Sequence, residues 1–275
     1  MSKKQKLVSL AVFGTVILLL LIGIILIPGQ EKEPIKEAMR DGVLHEASKI
    51  SLFGLIEVNP GLISAFVVTG IIVVFCLIVR IFVIPKFSEV PGKFQLVLEQ
   101  AVKYFSGLAK TNSPHRNHLL GAYVFAAGAY TFISTIFELL GLQAVTTEGR
   151  SVTLPAPLAD INGAIAVGVI SYMFILISGI IHGKAKGAVN ALKDFSLPIS
   201  MSFRLFGALL SGALVTDLVY HYFALSFVLP VIVAVLFTLL HAIIQTYVLT
   251  MLVSVFYGES TEPPHKHKKT ADSAD

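Results

Sequence analysis

Long runs of apolar residues, separated by short polar segments, dominate this chain from one end to the other. A helix needs about 20 apolar residues to cross a hydrocarbon core of roughly 30 Å. Six runs reach or approach that length, so the pattern predicts six membrane-spanning helices, at residues 7–28, 61–85, 119–142, 161–181, 198–223 and 230–257. The predicted fold class is therefore all-α, that of a polytopic membrane protein.

The composition agrees with this prediction. Of the 275 residues, 55% are hydrophobic and 14% are charged, and the mean hydropathy is +0.81. The single cysteine, Cys76, excludes a disulfide framework, and its place in an apolar run predicts a small side chain packed in the core.

The first apolar run has two interpretations, a cleaved signal peptide or an uncleaved anchor. Three lysines precede it, but the sequence PGQ at 28–30 gives no clear small-residue cleavage pattern, which favours an anchor. The chain is then divided into an anchor helix with an extracytoplasmic segment (1–60), a membrane domain (61–258) and a basic cytoplasmic tail (259–275).

The distribution of Lys and Arg tests this topology, because these residues concentrate in cytoplasmic loops. With a cytoplasmic N-terminus, six spans place 15 of them on the cytoplasmic side and 5 on the other, and leave Arg204 in the membrane. We therefore expect both termini in the cytoplasm.

The net charge of +4 follows from this loop bias, and no basic patch with interleaved aromatics indicates a nucleic-acid partner. The tail, with His265 and His267 among lysines, is predicted to be a solvated basic end, with metal binding by the two histidines as the alternative.

Arg204 is the residue that points to a function. It lies in the otherwise uncharged, mostly apolar run 197–216. An arginine at the centre of a membrane helix costs roughly 2.5 to 3.5 kcal/mol, and it stays ionised. A fixed positive charge at membrane depth indicates ion chemistry.

Two motifs around this charge resemble a known family. Residues 198–207, with the sequence PISMSFRLFG, resemble the Arg-bearing helix of the a subunit of F-type rotary ATP synthases. Residues 243–250, IIQTYVLT, resemble the Gln-centred segment of the same family. Weaker matches are VPGKFQLVLE at 90–99 and ADIN at 159–162, and the resemblance covers about 61–257.

The resemblance implies a stator channel that passes protons or sodium ions through two half-channels to a rotating c-subunit ring during ATP synthesis. The long Arg-bearing helix would pack against that ring, and Arg204 would block ions while attracting the ionised ring carboxylate. Implied partners are the c-ring, b-type stator subunits, membrane lipids and, indirectly, the F1 sector. The implied location is the inner membrane of a bacterium. No cofactor or metal is expected, and the chain is expected to be non-catalytic, since no Walker, metal-ligand or catalytic-triad pattern occurs.

Helical spacing adds residues to this ion path. Ser211 lies seven residues after Arg204 and so falls on almost the same face. Thr238, His241 and Gln245 are spaced by three and four and share a stripe. The resemblance implies that Gln245 is a polar partner of Arg204; the alternative is an ordinary helix–helix hydrogen bond.

The chain departs from the family where an ionisable pair is common, because it has Ala213 and Thr238 there. Asp217 and His241 lie one turn beyond these positions and are candidates for displaced substitutes. Because the two helices run antiparallel, the shifts move the two groups apart, so a relay between them would need water.

Several other polar or small residues have two interpretations. Glu138 could line an outer channel or reach the membrane interface. Asp160, with Asn162, matches the family's outer entrance, but Asp160 is also a good helix N-cap. Gly207 and Gly212 are predicted to be packing residues. The short connection from 182 to 196 casts doubt on a helical cap before the Arg helix.

Two other classes of protein stay open. An independent secondary ion transporter would show repeated halves with broken helices, which the sequence does not display. In a structural membrane scaffold, Arg204 would only pair with a lipid or a neighbouring helix. The choice between proton and sodium ion is left open, because the ion's main ligands would lie on the ring subunit. The direction of use, ATP synthesis or hydrolysis, is open as well.

Overall fold

A computed structural model describes residues 50–52, 56–145, 151–221 and 229–262, with the isolated helical positions 12, 14, 15, 18 and 22. The predicted span at 7–28, apart from those five positions, and the histidines of the tail lie outside these residues. Five described helices are long and apolar enough to cross a membrane, which confirms the other five predicted spans: Pro60–Lys86, Asn117–Leu140, Ile161–Gly183, Ser196–Thr216 and Val231–Thr261. The protein is an all-α polytopic membrane protein.

The elements follow in chain order as β1 (Ile50–Leu52), β2 (Ile56–Val58), α1 (Pro60–Ile78), α2 (Lys93–Asn112), α3 (Asn117–Phe137), β3 (Gln143–Val145), β4 (Ser151–Thr153), α4 (Ile161–Lys193), α5 (Ser196–His221) and α6 (Leu229–Thr261). A π turn (Val79–Val83) and three 3₁₀ turns (Ile84–Lys86, Glu138–Leu140 and Pro157–Ala159) adjoin the helices. Strands β1 and β2 pair antiparallel, with Ser51 opposite Glu57, and β3 and β4 pair in the same way, with Ala144 opposite Val152.

Two of the spanning helices begin at side-chain caps. The Asn59 carboxamide oxygen accepts a hydrogen bond from the Gly61 backbone N–H at 2.9 Å, and Pro60 takes the first helical position of α1. Asp160 caps α4 in the same way, accepting from the Asn162 backbone N–H at 3.0 Å. Such caps satisfy backbone donors that the first helical turn leaves unpaired.

Helix α2 was not predicted from the sequence. The helix is amphipathic, with an apolar face and a polar face. It is not one of the five helices that are apolar enough to span a membrane. Ala109 is buried and Phe105 and Leu108 pack against the core, whereas Lys93, Lys103 and Lys110 are exposed. The 3.6-residue period of its apolar positions is the signal that could have revealed it.

Helix α4 folds back on itself, which corrects the doubt about a helical cap before the Arg helix. Helical residues run without a break over Ile161–Lys193, yet the Tyr172 hydroxyl donates to the Ala191 carbonyl at 3.2 Å. Nineteen residues of straight helix would hold these groups about 28 Å apart. A Cβ on Gly179 would lie 3.0 Å from the Gly187 carbonyl oxygen, so the reversal falls between these glycines. The returning helical segment leads into α5.

The core lies between α3, α4, α5 and α6. Tyr123 of α3, Phe174 of α4 and Tyr257 of α6 form one aromatic stack, with ring centroids 4.1 and 5.2 Å apart. Along α6, Thr250 donates to the Thr246 carbonyl and Ser254 to the Thr250 carbonyl, each at 2.7 Å. These back-bonded hydroxyls let a membrane helix bury small polar residues against its neighbours.

Helix α1 is packed on one side only. Its buried positions are near its start, at Pro60, Gly61, Ser64 and Val68. The expectation that Cys76 is a core residue is wrong, because Cys76 is exposed. The rest of the described chain covers only the first half of α1 and leaves its second half open.

Candidate functional site

Arg204 lies on the exposed side of α5, in its third turn. Positions 200, 207 and 211 share that side, because they are four, three and seven residues away along the helix. We call the surface that these residues form with the exposed side chains of the adjoining helix α6 the Arg204 face: Ser200, Arg204, Gly207, Ser211, Phe237 and Ile244. It carries one permanent positive charge among small, hydroxyl-bearing and apolar side chains.

The structure brings Arg204 next to Gln245, as expected. Both residues line one cleft between α5 and α6, whose volume of about 10 Å³ is near the lower limit for one water molecule. The direct hydrogen bond is not formed, because Gln245 Oε1 is buried and has no hydrogen-bond partner in the described part of the chain. A buried carbonyl oxygen without a donor is costly, so it marks a place where a donor or water would bind.

The predicted stripe of α6 does face the Arg helix. Thr238 and Gln245 are buried, and a Cβ on Gly212 would lie 3.8 Å from His241 Nδ1. Gly212 therefore packs against α6, but at a distance of ordinary van der Waals contact, so the prediction that a small residue is needed there for close helix approach stays a prediction. The packing role of Gly207 is wrong within the described chain, because a Cβ there would have nothing within 4 Å.

A cavity of about 540 Å³ lies between the end of α3, the β3–β4 hairpin, α5 and α6. We call it the Glu138 cavity. It brings together Glu138 with Ala213 and Thr238, the two positions that replace the family's ionisable pair. Thr216 and Thr153 add hydroxyl groups to its wall. It is large enough for several waters and has polar side chains to bind them.

The antiparallel register of α5 and α6 orders the polar groups. Thr238 lines the Glu138 cavity, His241 is opposite Gly212, and Gln245 is beside Arg204. His241 is partly buried, with its ring centroid 5.8 Å from that of Phe237. His241 thus follows the cavity on the way to Arg204. Asp217 lies one turn past Ala213, away from Arg204, and its side chain is outside the described residues.

Asp160 and Asn162 line a different cavity. This second space, the Asp160 cavity, has a volume of about 430 Å³ and lies between α1, α3 and α4. Asp160 is buried, and its Oδ1 accepts from both the backbone and the side chain of Asn162. A Cβ on Gly61 would lie 2.7 Å from Asp160 Cβ, so the backbone of α1 rests on this carboxylate. The capping interpretation of Asp160 is confirmed.

Ser211 lies on the Arg204 face, but its hydroxyl is engaged locally. It donates to the Ala208 carbonyl at 2.8 Å, within its own helix. Ser211 does not line the Glu138 cavity, whereas Leu210 does.

Sequence reasoning missed several polar residues that line the Glu138 cavity or are buried in the core. Thr216 follows Ala213 by three residues and Thr153 lies on β4, and both line the Glu138 cavity. Thr131 and Thr246 are buried, and their hydroxyl oxygens have no hydrogen-bond partner among the described residues. Helical spacing from Ala213 could have found Thr216, but no local pattern points to the others.

Fold and site together define a class: a multi-pass helical membrane protein that presents an exposed arginine on a spanning helix, near a cavity lined in part by polar side chains. The family model described as ATP synthase A chain matches residues 62–258. The chain therefore belongs to the ATP synthase A chain family, whose members are membrane-sector subunits of F-type ATP synthases, so it is part of a complex with other subunits.

Similar proteins carry the same name. The chloroplastic ATP synthase subunit a of Stigeoclonium helveticum is 27% identical over 227 residues, covering 74% of this chain and 85% of the relative. ATP synthase subunit a of Histophilus somni (strain 2336) is 25% identical over 198 residues, covering 62% of this chain and 74% of the relative. The chloroplastic subunit of Oedogonium cardiacum is 26% identical over 227 residues, covering 74% and 83%.

Proposed function

We propose that this chain is the non-catalytic, ion-translocating stator subunit of its complex. It passes protons or sodium ions through two half-channels to a rotating c-ring, and Arg204 separates the half-channels. The observation that carries the proposal is the exposure of Arg204 on the surface of a membrane-spanning helix.

The described residues give the charge on this face no ionic partner. No ion pair of Arg204 is found within the described residues, and the Gln245 oxygen beside it is not hydrogen-bonded. An arginine at membrane depth is costly unless an opposite charge or water compensates it. A ring carboxylate that docks against the Arg204 face would provide that compensation, and the open space at Gly207 leaves room for a close approach.

The same charge explains how a leak is prevented. Moving one elementary charge down a membrane potential releases about 2.3 kcal/mol per 100 mV. Two half-channels that met would lose that energy without turning the ring. A permanent cation between them repels ions and favours the ionised carboxylate, so each ring site releases its ion before passing Arg204.

One half-channel of the proposal begins in the Glu138 cavity. From there the path continues along α6 past His241 to Gln245 and the Arg204 face. Asp217 is proposed as a second titratable group of the path, one turn past Ala213. Ser211 is proposed as a hydroxyl of the path on the Arg204 face.

Asp160 and Asn162 are proposed at the outer entrance. Their neighbour Ala159 lines the Glu138 cavity, so the two cavities adjoin at this point of the chain. Both hydrogen bonds from Asn162 go to Asp160 Oδ1, so Asp160 Oδ2 takes no part in the cap.

The remaining parts of the proposal concern the surroundings of the subunit. The c-ring contacts the Arg204 face, b-type stator subunits and lipids contact other surfaces, and the F1 sector acts through them. We place the protein in a bacterial inner membrane with both termini cytoplasmic; the relatives named above include bacterial and chloroplastic proteins.

Ion uptake driven by ATP tests the function. Vesicles holding the assembled complex are compared for wild type and Arg204→Ala, with and without sodium and a protonophore. We expect Arg204→Ala to assemble and to lose uptake, and the ion that supports wild-type uptake is the transported ion.

Arg116→Ala is the matched control, because Arg116 is an exposed arginine at the start of α3, away from the Arg204 face. Normal uptake in Arg204→Ala would contradict the proposal and favour a scaffold in which the charge only pairs locally.

A further inference from the structure

A third cavity, of about 510 Å³, lies at the other end of α1, among the π turn that extends it, α2 and α3. We call it the Cys76 cavity. Its wall is apolar except at α2, and it includes Phe75, Cys76, Phe87, Val102, Lys103 and Phe125. No residue of the Arg204 face or of the Glu138 cavity contributes to it.

Helix α2 gives this cavity the geometry of a membrane interface. Val97 and Tyr104 are 66% and 54% exposed on its apolar side, although the described chain offers them no apolar cover. Lys103 and Lys110, seven residues apart, share another side of the helix. A helix with an apolar face and a lysine-bearing face lies in the plane of the interface, with the apolar face toward the acyl chains.

One lysine and one carboxylate are among the residues that line the cavity. Glu99 lies one turn before Lys103, and its carboxylate accepts a hydrogen bond from the Gln95 side chain at 2.7 Å. No ion pair of Lys103 is found in the part of the chain that the structure describes. Arg80 and Lys86, on the turns that follow α1, add two more exposed cations at the same end.

The loop that closes the cavity is held in place. The Gln95 side-chain amide donates to the Ser88 carbonyl at 2.9 Å, and its oxygen accepts from the Ser88 backbone N–H at 3.2 Å. These two bonds fasten the turn after Phe87 to the first turns of α2. The cavity is therefore preformed, which lowers the entropic cost of filling it.

We propose that the Cys76 cavity binds an acyl chain of an anionic phospholipid, whose phosphate lies at Lys103 and Lys86. The apolar wall takes the hydrocarbon, and the unpaired cations at the rim select a negative headgroup. This site is independent of the ion path proposed above, because the two share no residue.

Tryptophan fluorescence provides a local test, because the chain contains no tryptophan. Phe87→Trp puts a single fluorophore in the cavity wall of the full chain, reconstituted in vesicles that contain brominated phosphatidylglycerol or brominated phosphatidylcholine. We expect the anionic lipid to quench this probe about fivefold more effectively per mole, the preference that one lysine at a membrane surface supplies.

Three variants control the experiment. Phe82→Trp is the matched probe, since Phe82 is 60% exposed on the π turn and does not line the cavity; it should show no preference. Lys103→Gln should abolish the preference of the Phe87→Trp probe, and Lys103→Arg should retain it. Lys110→Gln, on the same helix but outside the cavity, should leave it unchanged.

Two results would overturn the proposal. Equal quenching by both lipids would mean that the cavity takes any acyl chain without recognising the headgroup. Absence of quenching by either lipid would mean that a protein segment fills the cavity.

Discussion

The Glu138 cavity and the Asp160 cavity are similar in size, about 540 and 430 Å³, but they differ in what their acidic side chain does. Glu138 is partly buried among hydroxyl-bearing residues, next to the helix pair that carries Arg204. Asp160 is buried in a mostly aliphatic wall and is engaged in capping α4. One carboxylate adjoins a hydratable space, and the other holds two helices together.

The difference teaches that depth in the membrane is not enough to assign a carboxylate to an ion path. Both side chains lie near an end of a spanning helix, and sequence alone gives each of them a structural and a functional interpretation. Neighbouring residues decide between these roles: polar side chains that can bind water favour transport, whereas backbone donors of a helix start favour capping.

Removing the charge of Glu138 should have the largest effect among the cavity variants. Proton transfer by a positioned side chain contributes about 100-fold or more, so we expect Glu138→Gln to lower ATP-driven ion uptake by about that factor. Uptake per assembled complex is the measurement. Glu259→Gln, which alters an exposed glutamate near the end of α6, should change it little. Full uptake in Glu138→Gln would remove this cavity from the path.

The two cavities should also differ in their access to water, with a smaller effect than that of Glu138→Gln. In a Cys76→Ser background, we expect Ala213→Cys in the Glu138 cavity to react about tenfold faster with a water-soluble thiol reagent than Ala65→Cys in the Asp160 cavity. The thiolate is the reactive form, and it needs a hydrated environment. Both alanines are partly buried, which makes them a matched pair. Equal labelling rates would contradict the distinction between a hydrated and an apolar cavity.

Asp160 should show the smallest effect, and mainly in stability. Asp160→Ala removes the cap of α4 and should cost about 1 kcal/mol, measured by thermal unfolding of the full chain, whereas Asp160→Asn retains a good cap. If the Asp160 charge also serves the outer entrance, Asp160→Asn should lower ion uptake, though less than Glu138→Gln. An unaltered unfolding temperature in Asp160→Ala would refute the capping role.

The sequence predicts the spanning helices well, because runs of apolar residues report directly on a membrane environment. Helical spacing also places Thr238, His241 and Gln245 on one stripe. The pairing of Gln245 with Arg204 came from the family resemblance, since spacing within one helix does not say which neighbour a stripe faces. The fold-back of α4 was not predicted from the sequence, and the hydrogen bond between Tyr172 and Ala191 reveals it. The separation of Glu138 from Asp160 was not predicted either, since it depends on tertiary packing.

Contact between the Arg204 face and the ring is the central claim of this account, and cross-linking tests it most directly. Gly207→Cys in the Cys76→Ser background is paired with a cysteine beside the ion-binding carboxylate of the ring subunit, and disulfide formation is measured in the assembled complex. We predict a cross-linked product for Gly207→Cys and none for the Ala65→Cys control in the Asp160 cavity. An intact complex that gives no product at Gly207→Cys would contradict the claim that this face meets the ring.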